Sequence, residues 1–238
     1  MLGSFKRIVD ISFPLDAKTY KNNLPQRMVD QFAGRPIGFE VDELIERDIP
    51  PSTGQVARGV KMRLHCGSHV DAPEHWIAGG KQVHDLPLDL FLGRAVIADL
   101  SDKGGDKAIT DRDLEERVGR TLGAGGRLLV RTDWNDRFFD IDVERWKADS
   151  PYMTPRALDW CIARKPALVG IDFYHGAVAP GADHAEMFES KLVRSGILTM
   201  TNLFNLKGAS KTEVMLIALP LALRGVEASP VRAVVLED

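Results

Sequence analysis

Three histidines and one aspartate lie within eleven residues of one another in the first third of the chain: His65, His69, Asp71 and His75. Imidazole and carboxylate groups are ligands that suit zinc and manganese, and three such donors leave coordination positions open for water. A bound metal of this kind activates water and polarises a carbonyl oxygen, while a fourth imidazole can carry a proton. The cluster therefore predicts metal-assisted hydrolysis. The alternative is a polar loop whose histidines only form hydrogen bonds.

The elements that position this cluster follow from the residues around it. The spacing of His65 and His69 would suit one face of a helix, but Gly67 and Pro73 oppose a helix. Residues 60–64, just before the cluster, alternate between apolar and polar types as a strand does. We therefore expect the ligands where a strand ends and turns, with Gly67 permitting a backbone conformation that brings the side chains together.

Short apolar segments bounded by Gly, Pro, Asp or Asn predict a chain rich in strands. The expected strands are residues 7–13, 60–65, 94–100, 127–132, 168–172, 197–203, 214–219 and 231–236. Helices are predicted after Thr110, after Thr154 with Pro155 in the first position, and over residues 184–195. Because strands often follow one another with no helix between them, we expect an α/β (mixed α+β) fold and not a doubly wound parallel sheet.

Length and composition indicate one domain spanning residues 1–238. The net charge of −3 and a charged fraction of 27% give no basic field for nucleic acid or a membrane surface. Two cysteines cannot form a disulfide framework, and no secretory leader or membrane helix is evident, so a cytoplasmic protein is expected. The polar region 21–52 is either an excursion that covers a site or a neighbouring subunit, or a solvated loop with one strand at 38–41.

The cluster resembles the His-x-Gly-(Thr/Ser)-His-x-Asp-x-Pro-x-His signature of the cyclase family of metal-dependent hydrolases. The similarity continues, in family order, through residues 8–15, 85–88, 93–100, 131–134, 168–172 and 201–203. The resemblance implies the swivelling β/β/α fold, with a mixed sheet, a barrel-like core and a few flanking helices. It also implies assembly as a homodimer or homotetramer that acts on a small molecule.

The same resemblance implies roles for the clustered residues. His65, His69 and Asp71 match metal ligands, and His75 matches the catalytic histidine that moves a proton. Zinc is the expected metal and manganese the alternative. The implied activity is hydrolysis of an arylformamide, another amide, a cyclic amide or a lactone ester.

The chain departs from the family at the positions that supply a second metal site. Relatives with two metals usually provide a histidine and a glutamate there, and this chain has Glu189 and Thr201. Glu189 can bind a metal through oxygen, whereas the neutral hydroxyl of Thr201 is a poor ligand. We therefore expect about one tightly held metal per chain, with Glu189 completing its ligand shell or orienting its water. His175 and His184 are the first alternatives if a second metal binds.

Two tryptophans, Trp76 and Trp134, are expected to contact an aromatic substrate, although each residue type is more often part of a core or rim. The replacement of the usual histidine and glutamate by Glu189 and Thr201 favours a one-metal lactone or isatin-type ring hydrolase as the second functional hypothesis. A third is a non-catalytic binding protein that uses the metal only for stability. Structural zinc sites usually have four protein ligands, so three ligands with His75 beside them favour an enzyme.

Overall fold

The computed structural model describes residues 5–16, 39–44, 57–103, 107–139 and 141–238. The strands in these residues are β1 (Arg7–Asp10), β2 (Phe39–Leu44), β3 (Ala57–Met62), β4 (His69–Asp71), β5 (Leu92–Asp99), β6 (Ala108–Ile109), β7 (Arg127–Arg131), β8 (Tyr152–Met153), β9 (Leu168–Ile171), β10 (Leu198–Thr201), β11 (Glu213–Ile217), β12 (Ala228–Pro230) and β13 (Val234–Glu237). The helices are α1 (Asp111–Val118), α2 (Trp134–Phe138), α3 (Val143–Ala148), α4 (Pro155–Arg164) and α5 (Phe188–Arg194).

Nine of these strands form one mixed sheet, in the order β1-β13-β11-β5-β7-β9-β10-β4-β12. Neighbours from β5 to β10 are parallel, and the pairings on either side of them are antiparallel. The sheet curls into a half-barrel. A bridge between Ser12 and Leu203 joins the segment after β1 to the residues after β10. The mixed, curled sheet confirms the fold class expected from the sequence.

Hydrophobic side chains cover both faces of the central strands. In β7, Leu128 and Val130 belong to the cluster that packs against the helices, and Leu129 belongs to the cluster on the opposite face. This alternation follows from the two-residue period of a strand. The core residues Leu114 of α1, Leu158 of α4 and Leu192 of α5 belong to the helix-side cluster. The parallel strands are thus buried on both sides, as their continuous apolar sequences require.

Two of the three predicted helix starts are confirmed. The hydroxyl of Thr110 accepts the N–H of Asp113 at the start of α1, and Thr154 accepts the N–H of Ala157 at the start of α4. The helix expected over residues 184–195 is confirmed from Phe188 to Arg194, but its expected start is wrong. Asp183 accepts the N–H groups of Ala185 and Glu186 and holds a separate turn, after which extended backbone at Met187 leads into α5.

The eight predicted strands are all present, with ends shifted by a few residues. Several very short elements, among them β6, β8 and α2, are not evident from the sequence, because each forms through contacts with a distant segment of the chain. In the region 21–52, β2 confirms a strand close to 38–41, and it pairs with β3 as a separate two-stranded ribbon. The rest of that region lies outside the described residues.

Two further expectations concern the cysteines and membrane insertion. Cys66 and Cys161 are both buried, and neither forms a disulfide. Burial raises the pKa of the Cys161 thiol to about 12, which keeps it protonated and unreactive. None of the described helices has the length and apolar character that a bilayer crossing requires.

Candidate metal centre

Two of the expected ligands lie on β4, a short strand between β10 and β12. The expectation that the ligands follow the end of a strand is therefore only partly right, because His69 and Asp71 are themselves in a strand. In β4, His69 pairs with Thr201 of β10 and Asp71 pairs with Thr199. Side chains two residues apart in a strand point to the same face. The ladder thus directs His69 and Asp71 into one small buried space.

The turn before β4 brings the first histidine to the other two ligands. Gly67 has a φ of 63°, in the left-handed region that glycine adopts most readily, and this confirms its predicted role. Its carbonyl accepts hydrogen bonds from Nδ1 of His69 at 2.8 Å and from Nδ2 of Asn202 at 3.1 Å. The next hydroxyl, of Ser68, donates to the carbonyl of Asn202. The turn is therefore fixed by hydrogen bonds to β4 and to the end of β10.

Replacing Gly67 by alanine is expected to destabilise the fold and to weaken metal binding. Left-handed backbone costs a residue with a Cβ roughly 1–2 kcal/mol. A Cβ at Gly67 would also meet the Leu15 side chain at 2.8 Å, whereas a Cβ at Gly79, with a similar φ of 73°, would meet no atom within 4 Å. Gly79→Ala is therefore the matched control. Urea unfolding should show a larger decrease in the free energy of unfolding for Gly67→Ala than for Gly79→Ala. Equal decreases in the two variants would contradict the role given to the turn.

The donor atoms of His65, His69 and Asp71 lie within 4.8 Å of one another. Nδ1 of His65 is 3.0 Å from Oδ1 of Asp71, and Nε2 of His69 is 3.8 Å from the same oxygen. Apart from these two ring nitrogens, the fully buried Oδ1 is an orphaned oxygen with no donor among the described residues. A buried carboxylate oxygen that faces two imidazole nitrogens fits a divalent cation.

The protonation states of Asp71 and His69 suit a metal, whereas His65 must lose a proton to bind one. Burial lowers the pKa of His65, but its contacts with Asp71 and then with Glu227 outweigh burial and raise it. Burial raises the pKa of Asp71, but the charge of His69 and the contact with His65 outweigh burial and lower the pKa to about 2. Burial lowers the pKa of His69. Asp71 is thus ionised and His69 neutral near pH 7. Metal binding requires these two forms of the side chains.

His75 follows the two ligands of β4 in a single turn of 3-10 helix, Pro73–His75. Its ring centroid is 4.3 Å from that of His65, and the side chain is half-buried. Burial is the first cause that lowers the pKa of His75, and the charges of His65 and Arg63 add to it. A neutral, partly accessible imidazole next to the donor set is suited to accept a proton.

Glu227, just before β12, is a member of the site that sequence reasoning missed. Its carboxylate forms a second compact donor group with His65 and His75, and its Oε1 is 3.1 Å from Nε2 of His65. Glu227 and His65 are 162 residues apart, so no local motif links them. The only available signal is an acidic residue directly before a short strand, which is too common to be specific.

The residues at the altered family positions also lie at the centre. The hydroxyl of Thr201 is 3.1 Å from Nε2 of His69, and that of Thr199 donates to Oδ2 of Asp71 at 3.2 Å. Glu189 is buried on α5, and burial and then the charge of Asp71 raise its pKa well above the usual value. Glu189 is absent from the compact donor groups of the described residues, so its role as a ligand stays a prediction.

Among the remaining candidates, His175 faces the same cluster. Burial, followed by the charge of His69, lowers its pKa to about 4, and its buried Nδ1 has no hydrogen-bond partner among the described residues. The buried N–H of Trp76 likewise has no partner in the described part of the chain, and its ring is 5.1 Å from that of His75. Trp134 lies in the core, where its N–H donates to the carbonyl of Trp146. Trp76 is therefore the better placed of the two tryptophans, and substrate contact at either stays a prediction.

Comparisons with known proteins match nearly the whole chain. The cyclase family model matches residues 9–175, more than half of the chain. The chain is 30% identical over 227 residues to kynurenine formamidase from Bacillus cereus, which covers 95% of this chain and 96% of that protein.

Solved structures of similar proteins show the same fold. Isatin hydrolase A from Ralstonia solanacearum is 25% identical and has a TM-score of 0.80. The superposition covers 98% of this chain and 92% of that one. Isatin hydrolase A from Labrenzia aggregata, bound to benzyl benzoate, is 26% identical and has a TM-score of 0.76. The superposition covers 97% of this chain and 93% of that one.

Proposed function

The chain belongs to the cyclase family, and on that premise we propose that it is a metal-dependent hydrolase that opens a carbon–nitrogen bond in an arylformamide, another amide or a cyclic amide. The observation that carries the proposal is the compact donor set of His65, His69 and Asp71 with His75 packed against it. Similar proteins named for the hydrolysis of a formamide and of isatin support the class of bond.

Three residues would hold the metal, for which zinc is the expected ion and manganese the alternative. His65 and His69 offer one ring nitrogen each, and Asp71 offers Oδ1. When bound, such a metal lowers the pKa of a water molecule towards neutrality and polarises the substrate carbonyl. Nδ1 of His69 donates its N–H to the carbonyl of Gly67, and this hydrogen bond fixes the orientation of the ring.

The protein's own residues then handle the proton and the substrate. An imidazole nitrogen of His75 accepts a proton from the attacking water and returns it to the leaving nitrogen. The Trp76 N–H has no hydrogen-bond partner among the described residues, and its ring is 5.1 Å from that of His75, so in this proposal it donates to a polar group of the substrate. In this proposal His75 and Trp76 contact the substrate, and His65, His69 and Asp71 hold the metal.

A single metal per chain belongs to the same proposal. The Thr201 hydroxyl lies against Nε2 of His69 and supplies no negative charge for a second cation. Two cations a few ångströms apart repel strongly unless carboxylates neutralise them. Glu189 is the one further buried carboxylate beside Asp71 in the described residues. We place it as a group that completes the shell of the one metal or orients its water.

The second candidate is a one-metal lactone or isatin-type ring hydrolase. The neutral Thr201 beside His69 favours it, because the family resemblance implies a charged donor at that position in relatives that bind two metals. A non-catalytic binding protein is the third candidate, and the position of His75 beside an incomplete ligand set speaks against it. Homodimeric or homotetrameric assembly, which the family resemblance implies, is also part of the proposal.

A panel of substrates separates these candidates. Aryl formamides, cyclic amides including isatin, and lactones would be incubated with the protein loaded with zinc or with manganese. We expect hydrolysis of an amide-type substrate and its loss in Asp71→Ala. Hydrolysis of lactones alone would favour the second candidate, and no hydrolysis of any substrate would favour the binding protein.

A further inference from the structure

The carboxylate of Glu227 lies beside the first histidine of the centre but outside the histidine-rich motif. Its Oε1 is 3.1 Å from Nε2 of His65, at hydrogen-bond distance. The other ring nitrogen of His65, Nδ1, is 3.0 Å from Oδ1 of Asp71. The Glu227 side chain is 37% exposed and that of Asp71 is fully buried. The two nitrogens of His65 therefore face different surroundings, one near solvent and one in the buried donor set.

The backbone fixes Glu227 against the strand that carries the ligands. The Glu227 carbonyl accepts the N–H of Ala72 at 2.8 Å, directly after β4. The next residue, Ala228, pairs with Asp71 across the β12–β4 ladder. The same ladder thus positions a ligand, Asp71, and the carboxylate that approaches His65 from the other side.

The two carboxylates and the metal together decide which nitrogen of His65 carries the proton. Both ring nitrogens of His65 face a carboxylate, and a carboxylate only accepts hydrogen bonds, so Asp71 and Glu227 compete for the N–H of a neutral His65. A cation held by Oδ1 of Asp71 needs the lone pair of Nδ1, and the N–H is then on Nε2, where Glu227 accepts it. Nδ1 is then left with its lone pair towards Asp71 and His69. Histidines that bind metals commonly give their second N–H to a carboxylate or carbonyl. His69 does so with the carbonyl of Gly67, and Glu227 offers His65 the equivalent partner.

We infer that Glu227 is a positioning residue of the metal centre, which fixes the tautomer and the direction of His65 so that Nδ1 faces the metal. The inference rests on the proposed function, because it requires that the centre binds a metal. The donor atoms of His65, His75 and Glu227 also lie within 4.8 Å of one another, an arrangement that could hold a cation by itself. The carboxylate of the first donor group, Asp71, is fully buried, whereas that of Glu227 is partly exposed to water, and this difference favours the metal at Asp71 and the positioning role for Glu227.

Metal affinity tests the inference independently of catalysis. Wild-type protein, Glu227→Ala and Glu227→Gln would be stripped with a chelator, and Zn²⁺ affinity would be measured by competition with a chromophoric chelator. We expect Glu227→Ala to bind Zn²⁺ about 10–100-fold more weakly and to show an altered Co²⁺ absorption spectrum. Glu227→Gln should recover most of the affinity, because its amide oxygen still accepts the N–H.

The matched control is Glu213→Ala, which removes an exposed glutamate that pairs with Arg94 and should bind Zn²⁺ as the wild type does. Thermal unfolding of the stripped proteins checks that all variants fold. Wild-type affinity and an unchanged Co²⁺ spectrum in Glu227→Ala would overturn the inference. If Glu227→Ala loses only a second, weakly bound Zn²⁺ and keeps the tightly bound one, the inference is also overturned. A lower kcat with unchanged Zn²⁺ affinity would overturn it too, because that result would connect Glu227 to His75 and not to the metal. Wild-type protein that binds no metal would contradict the proposed function itself.

Discussion

Asp71→Ala and His69→Ala are each expected to lose the metal and the activity together. Asp71 is fully buried, and its orphaned Oδ1 is the oxygen that both imidazoles approach. Removing one of three donors leaves an incomplete ligand shell. Because loss of an outer contact to a ligand already costs about 10–100-fold in affinity, loss of a ligand should cost more. Metal content after dialysis and the hydrolysis rate should fall in parallel.

A fold defect is the main competing explanation for that result, and two further variants address it. Asp71→Asn keeps the shape of the side chain and removes its charge, so it should fold and still bind metal poorly. Asp89→Ala removes an exposed carboxylate and should keep metal and activity. Wild-type metal occupancy in His69→Ala and in both Asp71 variants would show that these residues are not the ligands.

His75→Ala is expected to keep the metal and to lower kcat by about 10²–10⁴, the usual contribution of a positioned acid–base group. His75 lies against His65 but is not part of the buried donor set around Asp71, so its removal leaves that set complete. Steady-state kinetics and metal analysis of the same preparation measure both quantities.

His84→Ala is the matched control for this variant. His84 is an exposed histidine nine residues further along the chain, in another 3-10 turn, and it accepts a hydrogen bond from Arg224. Its removal should leave kcat unchanged. Full activity in His75→Ala would remove His75 from the mechanism, whereas loss of metal together with activity would make it a ligand.

The sequence predicts those parts of the fold that local chemistry determines. Thr110 and Thr154 cap their helices through hydrogen bonds three residues away, so the residue types alone mark the helix starts. The apolar strand β7 is evident for a similar reason. Helix α2 is not evident, because the residue before it, Asp133, has left-handed backbone, and the distant buried carboxylate of Asp172 accepts the Asp133 N–H.

The same distinction applies to the candidate site. The histidine cluster is visible because its members lie within one short segment and Gly67 allows the turn between them. That His69 and Asp71 form a strand depends on pairing with β10 and β12, which lie far along the chain. Glu227 could not be found for the same reason. The burial of Trp134 depends on its contact with Trp146, which its residue type does not reveal.

Metal titration of the stripped protein tests most directly whether this chain is a metal-dependent hydrolase. Zn²⁺ or Mn²⁺ would be added in steps to chelator-treated protein, and the rate of amide hydrolysis would be measured at each step. We expect negligible hydrolysis without metal and a rise that levels off at about one equivalent per chain, as three ligands with one open site imply. A rate that stays the same from zero equivalents upward would contradict metal-dependent hydrolysis, and a rise that continues to two equivalents would contradict the single metal.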